Sequence, residues 1–388
     1  MVITRARAGP PTRCTTCPRA SPPTSASARA SSRSARSGQG AGGRRGGWGE
    51  LICLNTLPEV ALLRAHPGGR SRQALRLACH VVASAPAPTL ILTIDLEDWH
   101  QLAARRIGLP DWDRRSSGLV RQCATLLERL QQMGARATFF VLGCSARRYP
   151  ELVREIAGCG HEIASHGYAH RRVYDQTPRE LAADLAASIE LIGELTGSAP
   201  RGYRAPAFSI TRRSAWAFEL IADHGFRYDS SVHDSPRVPD RIRPAVPAPH
   251  RIELSAGRSL WELPIAVGRL GAWSIPLGGG AYWRLLPGRV VRGGLAGAAR
   301  SGPQAIYAHP YECDPEPLRL ALGERAPLSL RLRARLREAQ RNPRRTRVLE
   351  LLSALGHTYE LITCEQAVER YDPDNRRAGP GALQRARA

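Results

Sequence analysis

The chain has 388 residues, enough for one large domain or two small ones, and 43% of them are hydrophobic, which suffices for a buried core. A net charge of +22 would ordinarily point to nucleic acid or an anionic surface, but all 56 basic residues are arginine, with no lysine, as GC-rich codon usage favours. Residues 1–88 alone hold thirteen arginines against two acids, Glu50 and Glu59, and no aromatic–basic interleaving marks a nucleic-acid reader, so no nucleic-acid partner is expected.

Residues 1–50 are rich in Ser, Arg, Gly, Pro and Ala without a sustained hydrophobic period, and 51–88 carry no chemical signal. Segment 1–88 is therefore expected to be disordered, or else to be a mis-assigned start. Cys14 and Cys17 form a C-x-x-C, yet no second pair completes a zinc ribbon, and nine irregularly spaced cysteines suit a reducing compartment. The stretch 75–88 resembles a signal h-region only faintly: it lies far from Met1 and His80 interrupts it. No apolar run reaches the roughly 18–20 residues that span a bilayer. The expected location is the cytoplasm.

From 89 the texture changes. TLILTID (89–95) reads as a buried strand, Val120 to Met133 as a helix and ATFFVLG (137–143) as a strand. Tyr149 to Ala157 reads as a helix and HEIASHG (161–167) as a strand. Thr177, Pro178 and Glu180 make a capping box with proline at the first helical position, and the helix runs to Thr196, where Gly197 stops it. RGYRAPAF reads as a strand, Thr211 to His224 as a helix and FRYDSS as a strand. Such alternation implies a parallel sheet. Leu318 to Arg347 carries ten arginines among leucines, the pattern of a solvated helical face or of a surface for acidic glycans or lipid headgroups. RVLELLSALG (347–356) then reads as a helix and HTYELIT (357–363) as a strand.

The chemistry concentrates at strand ends. His166 and His170, four residues apart, can turn two nitrogens toward one Zn²⁺-type ion. The strand ending LILTIDLEDWH places three carboxylates upstream, Asp95, Glu97 and Asp98. Two histidines and one carboxylate leave a coordination position open for water, which is a catalytic arrangement. Period-two alternation puts Asp95 and Glu97 on one strand face, whereas a bulge would bring in Asp98 instead. Both stay open as the third ligand.

Three later motifs follow in order: GYRAPAF with Arg204, FRYDSS with Asp229 and AIYAHPYE with His309. With the two earlier ones they resemble the NodB-homology polysaccharide deacetylases, the family 4 carbohydrate esterases, across 89–312. DLEDWH, the glycine run IPLGGGAYWRLLP, WELPIA and HPYECDP look like the exosortase-associated branch of bacterial exopolysaccharide loci. The resemblance implies an α/β fold, a deformed (β/α)7 barrel over 89–312, a C-terminal extension over 313–371 and an unstructured tail over 372–388. It implies Asp95 as base, Arg204 as its partner, His309 as the acid that protonates the leaving amine, and His166 and His170 as metal ligands. Asp229 is expected to orient His309, although Asp-Ser-Ser could simply make a turn. The implied cofactor is a divalent ion, Zn²⁺ first. The implied partner is an N-acetylated polysaccharide or lipid-linked oligosaccharide. The arginine–leucine pattern of 318–347 adds peripheral membrane contact as an alternative to a solvated face. An allantoinase-like amide hydrolase and an inactive glycan-binding module are the alternatives on the same scaffold.

Overall fold

The computed structural model describes residues 88–372 apart from 111, 113–117, 245 and 271–272. The expected disorder of 1–88 and of the tail 372–388, and the Cys14–Cys17 pair, fall outside the described residues except for 88 and 372. The strands are β1 (Thr89–Leu96), β2 (Thr138–Val141), β3 (Glu162–Ser165), β4 (Gly202–Tyr203), β5 (Tyr228–Asp229), β6 (His250–Glu253), β7 (Ser259–Glu262), β8 (Val267–Leu270), β9 (Trp273–Pro276), β10 (Gln304–Ala308) and β11 (Glu360–Ile362).

Seven of them, in the order β10-β1-β2-β3-β4-β5-β7, run parallel. β6 extends β7 antiparallel, β11 shares β1's edge with β2, and β8 and β9 form a separate hairpin. Past β7 the chain bends so that Ile265 bridges Ala305 in parallel and the Ala266 N–H donates to the Ala305 carbonyl at 2.9 Å. The seven-stranded ring is thus closed by a short bridge rather than a full ladder, which is the deformation expected of this α/β barrel. β1 is buried along all but its first residue, as a strand covered on both faces of a parallel sheet must be.

The helices are α1 (Trp99–Ile107), α2 (Leu119–Gln132), α3 (Gly143–Arg148), α4 (Pro150–Gly158), α5 (Pro178–Thr196), α6 (Ala217–Asp223), α7 (Gly280–Trp283), α8 (Gly288–Ala298), α9 (Pro310–Cys313), α10 (Leu328–Arg341), α11 (Thr346–Gly356) and α12 (Cys364–Tyr371). α2 buries Leu119, Cys123, Leu126, Leu127 and Leu130 at helical spacing against the outer face of β1 and β2. α5 starts on the Thr177–Glu180 capping box and stops at Gly197, whose φ of 79° only glycine adopts freely. The expected helix from Thr211 to His224 is shorter: the Thr211 N–H donates to Ser214 Oγ at 2.9 Å, this local turn consumes the first residues, and α6 begins at Ala217. The strands expected over RGYRAPAF and FRYDSS shrink to two residues each, because the chain turns away at the cavity.

Candidate active site

Beyond the C-terminal ends of β1, β3, β4, β5 and β10 lies one cavity of about 810 Å³, the reactive face of a β/α barrel. Glu97 is the first residue past β1, His166 the first past β3, Arg204 the first past β4 and His309 the first past β10.

The Glu97 N–H donates to the Asp95 carbonyl at 2.9 Å, a tight turn that swings the Glu97 side chain over the strand end. There its Oε1 lies 3.2 Å from His166 Nε2 and 2.9 Å from His170 Nε2. One ligand atom from each of the three comes within 4.8 Å of the others. His166 Nδ1–H donates to the Arg204 carbonyl at 2.8 Å, which fixes the tautomer and leaves Nε2 free to ligate. His170 sits at a left-handed φ of 53°, a conformation costly for a residue with a Cβ and held where the surrounding structure requires it. Burial alone would raise the Glu97 pKa, but His170 and His309 outweigh it and hold the carboxylate well below its usual range. Two imidazole nitrogens and an ionised carboxylate on one side of an open cavity fit a divalent cation with a coordination position to spare.

Asp98 turns the other way. Its Oδ1 accepts the N–H groups of His100 at 3.0 Å and Gln101 at 3.2 Å, and its Oδ2 accepts the Tyr149 hydroxyl at 3.2 Å. It caps α1 and lies apart from the histidines. Of the two carboxylates left open as third ligand, the structure brings Glu97 to the cluster and Asp98 to the helix start, where orphan N–H groups compete for it.

Asp95 faces the same cavity. Arg204, fully buried, donates through Nη1 to Asp95 Oδ1 at 2.6 Å and to Thr93 Oγ1 at 2.8 Å. Its Nε donates to the Ser230 carbonyl at 3.0 Å and its Nη2 to Ser230 Oγ at 2.8 Å, while the guanidinium lies 4.1 Å over the Phe140 ring. A buried ion pair is sustained only when its remaining donors are satisfied in this way.

His309 follows β10, the neighbour of β1, with Nε2 3.5 Å from Glu97 Oε2. Its Nδ1–H donates to Glu312 Oε2 at 2.9 Å. Burial would lower the His309 pKa, but the Glu312 and Glu97 carboxylates raise it to about 9. Glu312 is fully buried, and Gly280 is what makes room for it: a Cβ there would fall 2.2 Å from Glu312 Oε2. At Gly279 a Cβ would meet the Tyr307 ring at 2.3 Å, so two glycines of the run 278–280 exist to let site side chains pack against backbone.

Asp229, expected to orient His309, does not reach it. Its Oδ2 accepts the Ser231 N–H at 2.6 Å and its Oδ1 the Ser231 hydroxyl at 2.8 Å, the local turn that Asp-Ser-Ser favours. It stands opposite Glu262 in the β5–β7 register, and burial pushes its pKa up to about 6 and that of Glu262 well above the usual range. Glu312 fills the role foreseen for Asp229. Its only sequence signal is the His-x-x-Glu spacing of a capping box at α9.

Parts of the chain are similar to known proteins. A polysaccharide deacetylase family model matches residues 113–228, and a second model, described as a domain of unknown function (DUF3473), matches 230–363. Glu97 lies before the first match, while His309 and Glu312 lie in the second. A peptidoglycan deacetylase of Helicobacter pylori is 35% identical over 118 residues, 30% of this chain and 39% of that one. A peptidoglycan-N-acetylglucosamine deacetylase of Bacillus cereus is 34% identical over 95 residues, 24% of this chain and 34% of that one. A chitooligosaccharide deacetylase of a Bradyrhizobium species is 32% identical over 122 residues, 31% of this chain and 53% of that one. The alignments thus span roughly a third to a half of these relatives' lengths.

Proposed function

For a chain that carries a polysaccharide deacetylase domain, we propose metal-dependent removal of N-acetyl groups from the amino sugars of a bacterial exopolysaccharide or its lipid-linked precursor, with Zn²⁺ as the ion. One observation carries the reading: the Glu97–His166–His170 cluster sits between a buried Asp95–Arg204 pair and a buried His309–Glu312 pair, all at one cavity. Glu97, His166 and His170 would hold the cation, which when bound polarises the acetamide carbonyl and acidifies a water. Asp95, kept charged and aimed by Arg204, takes the proton from that water. His309, held protonated by its two carboxylate neighbours, gives its Nε2 proton to the departing amine. Acid and base follow the neighbouring parallel strands β10 and β1, on either side of the Glu97 carboxylate.

A mere glycan binder needs neither group, and the named relatives favour a sugar amide over a cyclic ureide. The test is acetate release by the full chain from an N-acetylglucosamine tetramer, with Zn²⁺ and with Glu97→Ala as control. Turnover of allantoin without acetate release would sink the proposal.

Membrane contact through Arg-rich 318–347 is part of the same proposal. α10 buries Ala334 and Glu338 yet leaves Leu328, Leu332 and Leu336 82%, 59% and 54% exposed at a spacing of four. An apolar stripe interleaved with arginines is what an interfacial helix presents to anionic lipid. Among the described residues no helix is long and apolar enough to cross a membrane.

A further inference from the structure

The mouth of the cavity is lined by arginines brought from four separate places: Arg105 and Arg106 on α1, Arg172 beyond the His170 turn, Arg237 beyond β5, and Arg337 and Arg341 on α10. The carboxylates lining it are Asp95 and Glu97, and both are engaged, the first by Arg204 and the second by the histidines. None of the six arginines has a carboxylate within 4.0 Å among the described residues. Arg237 instead stacks over Tyr282 at 5.1 Å and Arg341 over Tyr311 at 6.0 Å, so cavity aromatics hold these guanidinium groups in place. The crowding is felt at Arg106, whose pKa is lowered by burial and by Arg337, Arg172 and Arg341. Some arginines elsewhere on this protein meet acids, as Arg121 does Asp314, Arg212 Asp240 and Arg258 Glu219. What sets these six apart is that they converge on one cavity. Guanidinium groups converging on a cavity offer forked donors to an oxyanion, carboxylate or phosphate alike.

We propose that this arginine rim binds an anionic group carried next to the sugar that is deacetylated, either the carboxylate of a uronic acid or a phosphate or diphosphate. The inference rests on the reading of the cavity as a glycan deacetylase site, and it names the substrate class as an acidic rather than a neutral glycan.

The deciding experiment measures binding, not turnover. The full chain is titrated calorimetrically at low salt with three probes: an N-acetylglucosamine tetramer, a hyaluronan tetrasaccharide that alternates N-acetylglucosamine with glucuronate, and inorganic pyrophosphate. At least one anionic probe should bind tenfold or more tightly than the neutral tetramer. A preference for the tetrasaccharide assigns the rim to uronate, and a preference for pyrophosphate assigns it to phosphate. Arg337→Gln with Arg341→Gln should weaken the preferred anion at least tenfold. Arg331→Gln with Arg333→Gln, which removes the same charge from α10 outside the cavity, should not. Arg106→Gln, an exposed single change that spares the fold, should cost threefold or more. Equal affinity for neutral and anionic probes, or equal losses in the two double variants, overturns the proposal. If no substrate releases acetate while the anion still discriminates between those variants, the deacetylase reading fails and the rim stands.

Discussion

His309 and Glu312 stand three residues apart across the start of α9, joined from Nδ1 to Oε2 at 2.9 Å, and that one contact settles which nitrogen of His309 faces the cavity. With Nδ1–H committed to a buried carboxylate, Nε2 is left 3.5 Å from Glu97 Oε2. A histidine acting as acid must be protonated, so activity should fall as pH rises through its pKa. Glu312→Gln keeps an acceptor but removes the charge that raises this pKa. The basic limb of the pH–rate profile should move to lower pH and kcat should fall roughly 10- to 100-fold, the usual loss when a supporting hydrogen-bond partner is altered. Asp229→Asn should leave that limb in place. An unmoved limb in Glu312→Gln would show that Glu312 does not tune His309.

Gly280 supports the same pair by absence. Gly280→Ala would drive a methyl group into Glu312 Oε2, and overpacking of this kind costs about 1–3 kcal/mol. The variant should lose stability and reproduce the pH shift of Glu312→Gln. A variant with lower melting temperature but an unchanged pH profile would confine the glycine to a packing role.

Glu97 and Asp98 are neighbours with separable effects. Glu97→Ala should abolish bound divalent metal, measured by mass spectrometry of the purified protein, with a small change in melting. Asp98→Ala should keep the metal and cost about 0.5–2 kcal/mol by uncapping α1. Metal loss in Asp98→Ala with retention in Glu97→Ala would reverse the assignment.

His161 gives a stability prediction away from the site. It is buried beside Phe139, accepts the Ala137 N–H at 3.3 Å through Nδ1, and burial, aided by Arg136, depresses its pKa to about 4. The unfolded chain takes up this proton first, near pH 6.5, so the stability is fully present above that pH and is lost as pH falls toward 4. At about 1.4 kcal/mol per pKa unit, a shift from 6.5 to about 4 amounts to roughly 3 kcal/mol. Asp229 slopes the opposite way, since its raised pKa favours the fold below about 4 and that benefit fades as pH rises through about 6. The difference between wild type and His161→Gln cancels this. Chemical denaturation at pH 7 and pH 4.5 should show a smaller acid loss in the variant, and equal losses would show that His161 is protonated without penalty.

The exposed leucines of α10 predict lipid binding. Co-sedimentation with phosphatidylglycerol vesicles should be retained by the full chain and largely lost in Leu328→Ser, Leu332→Ser, Leu336→Ser, with little binding to phosphatidylcholine in either. Equal sedimentation of the triple variant would remove the helix as the contact.

Several features of this protein were legible in the chain alone because they rest on local rules. The buried run of β1, the leucine face of α2 and the Thr177–Gly197 limits of α5 follow from side-chain period, capping and glycine conformation, each settled within a few residues. The His166–His170 pair and the arginine that meets Asp95 were likewise readable from motifs. Tertiary structure decided the rest, because those outcomes depend on which of several equivalent groups a distant partner reaches. Asp98 and Glu97 are both acids at one strand end, and only the placement of α1 and of the two histidines separates them. Asp229 and Glu312 are both buried carboxylates that the chain offers as partners for His309, yet Ser231 and Glu262 hold the first while Gly280 opens space for the second. The arginine rim is the clearest case: its members lie as far apart as Arg105 and Arg341, and no local pattern distinguishes them from the other arginines of the chain.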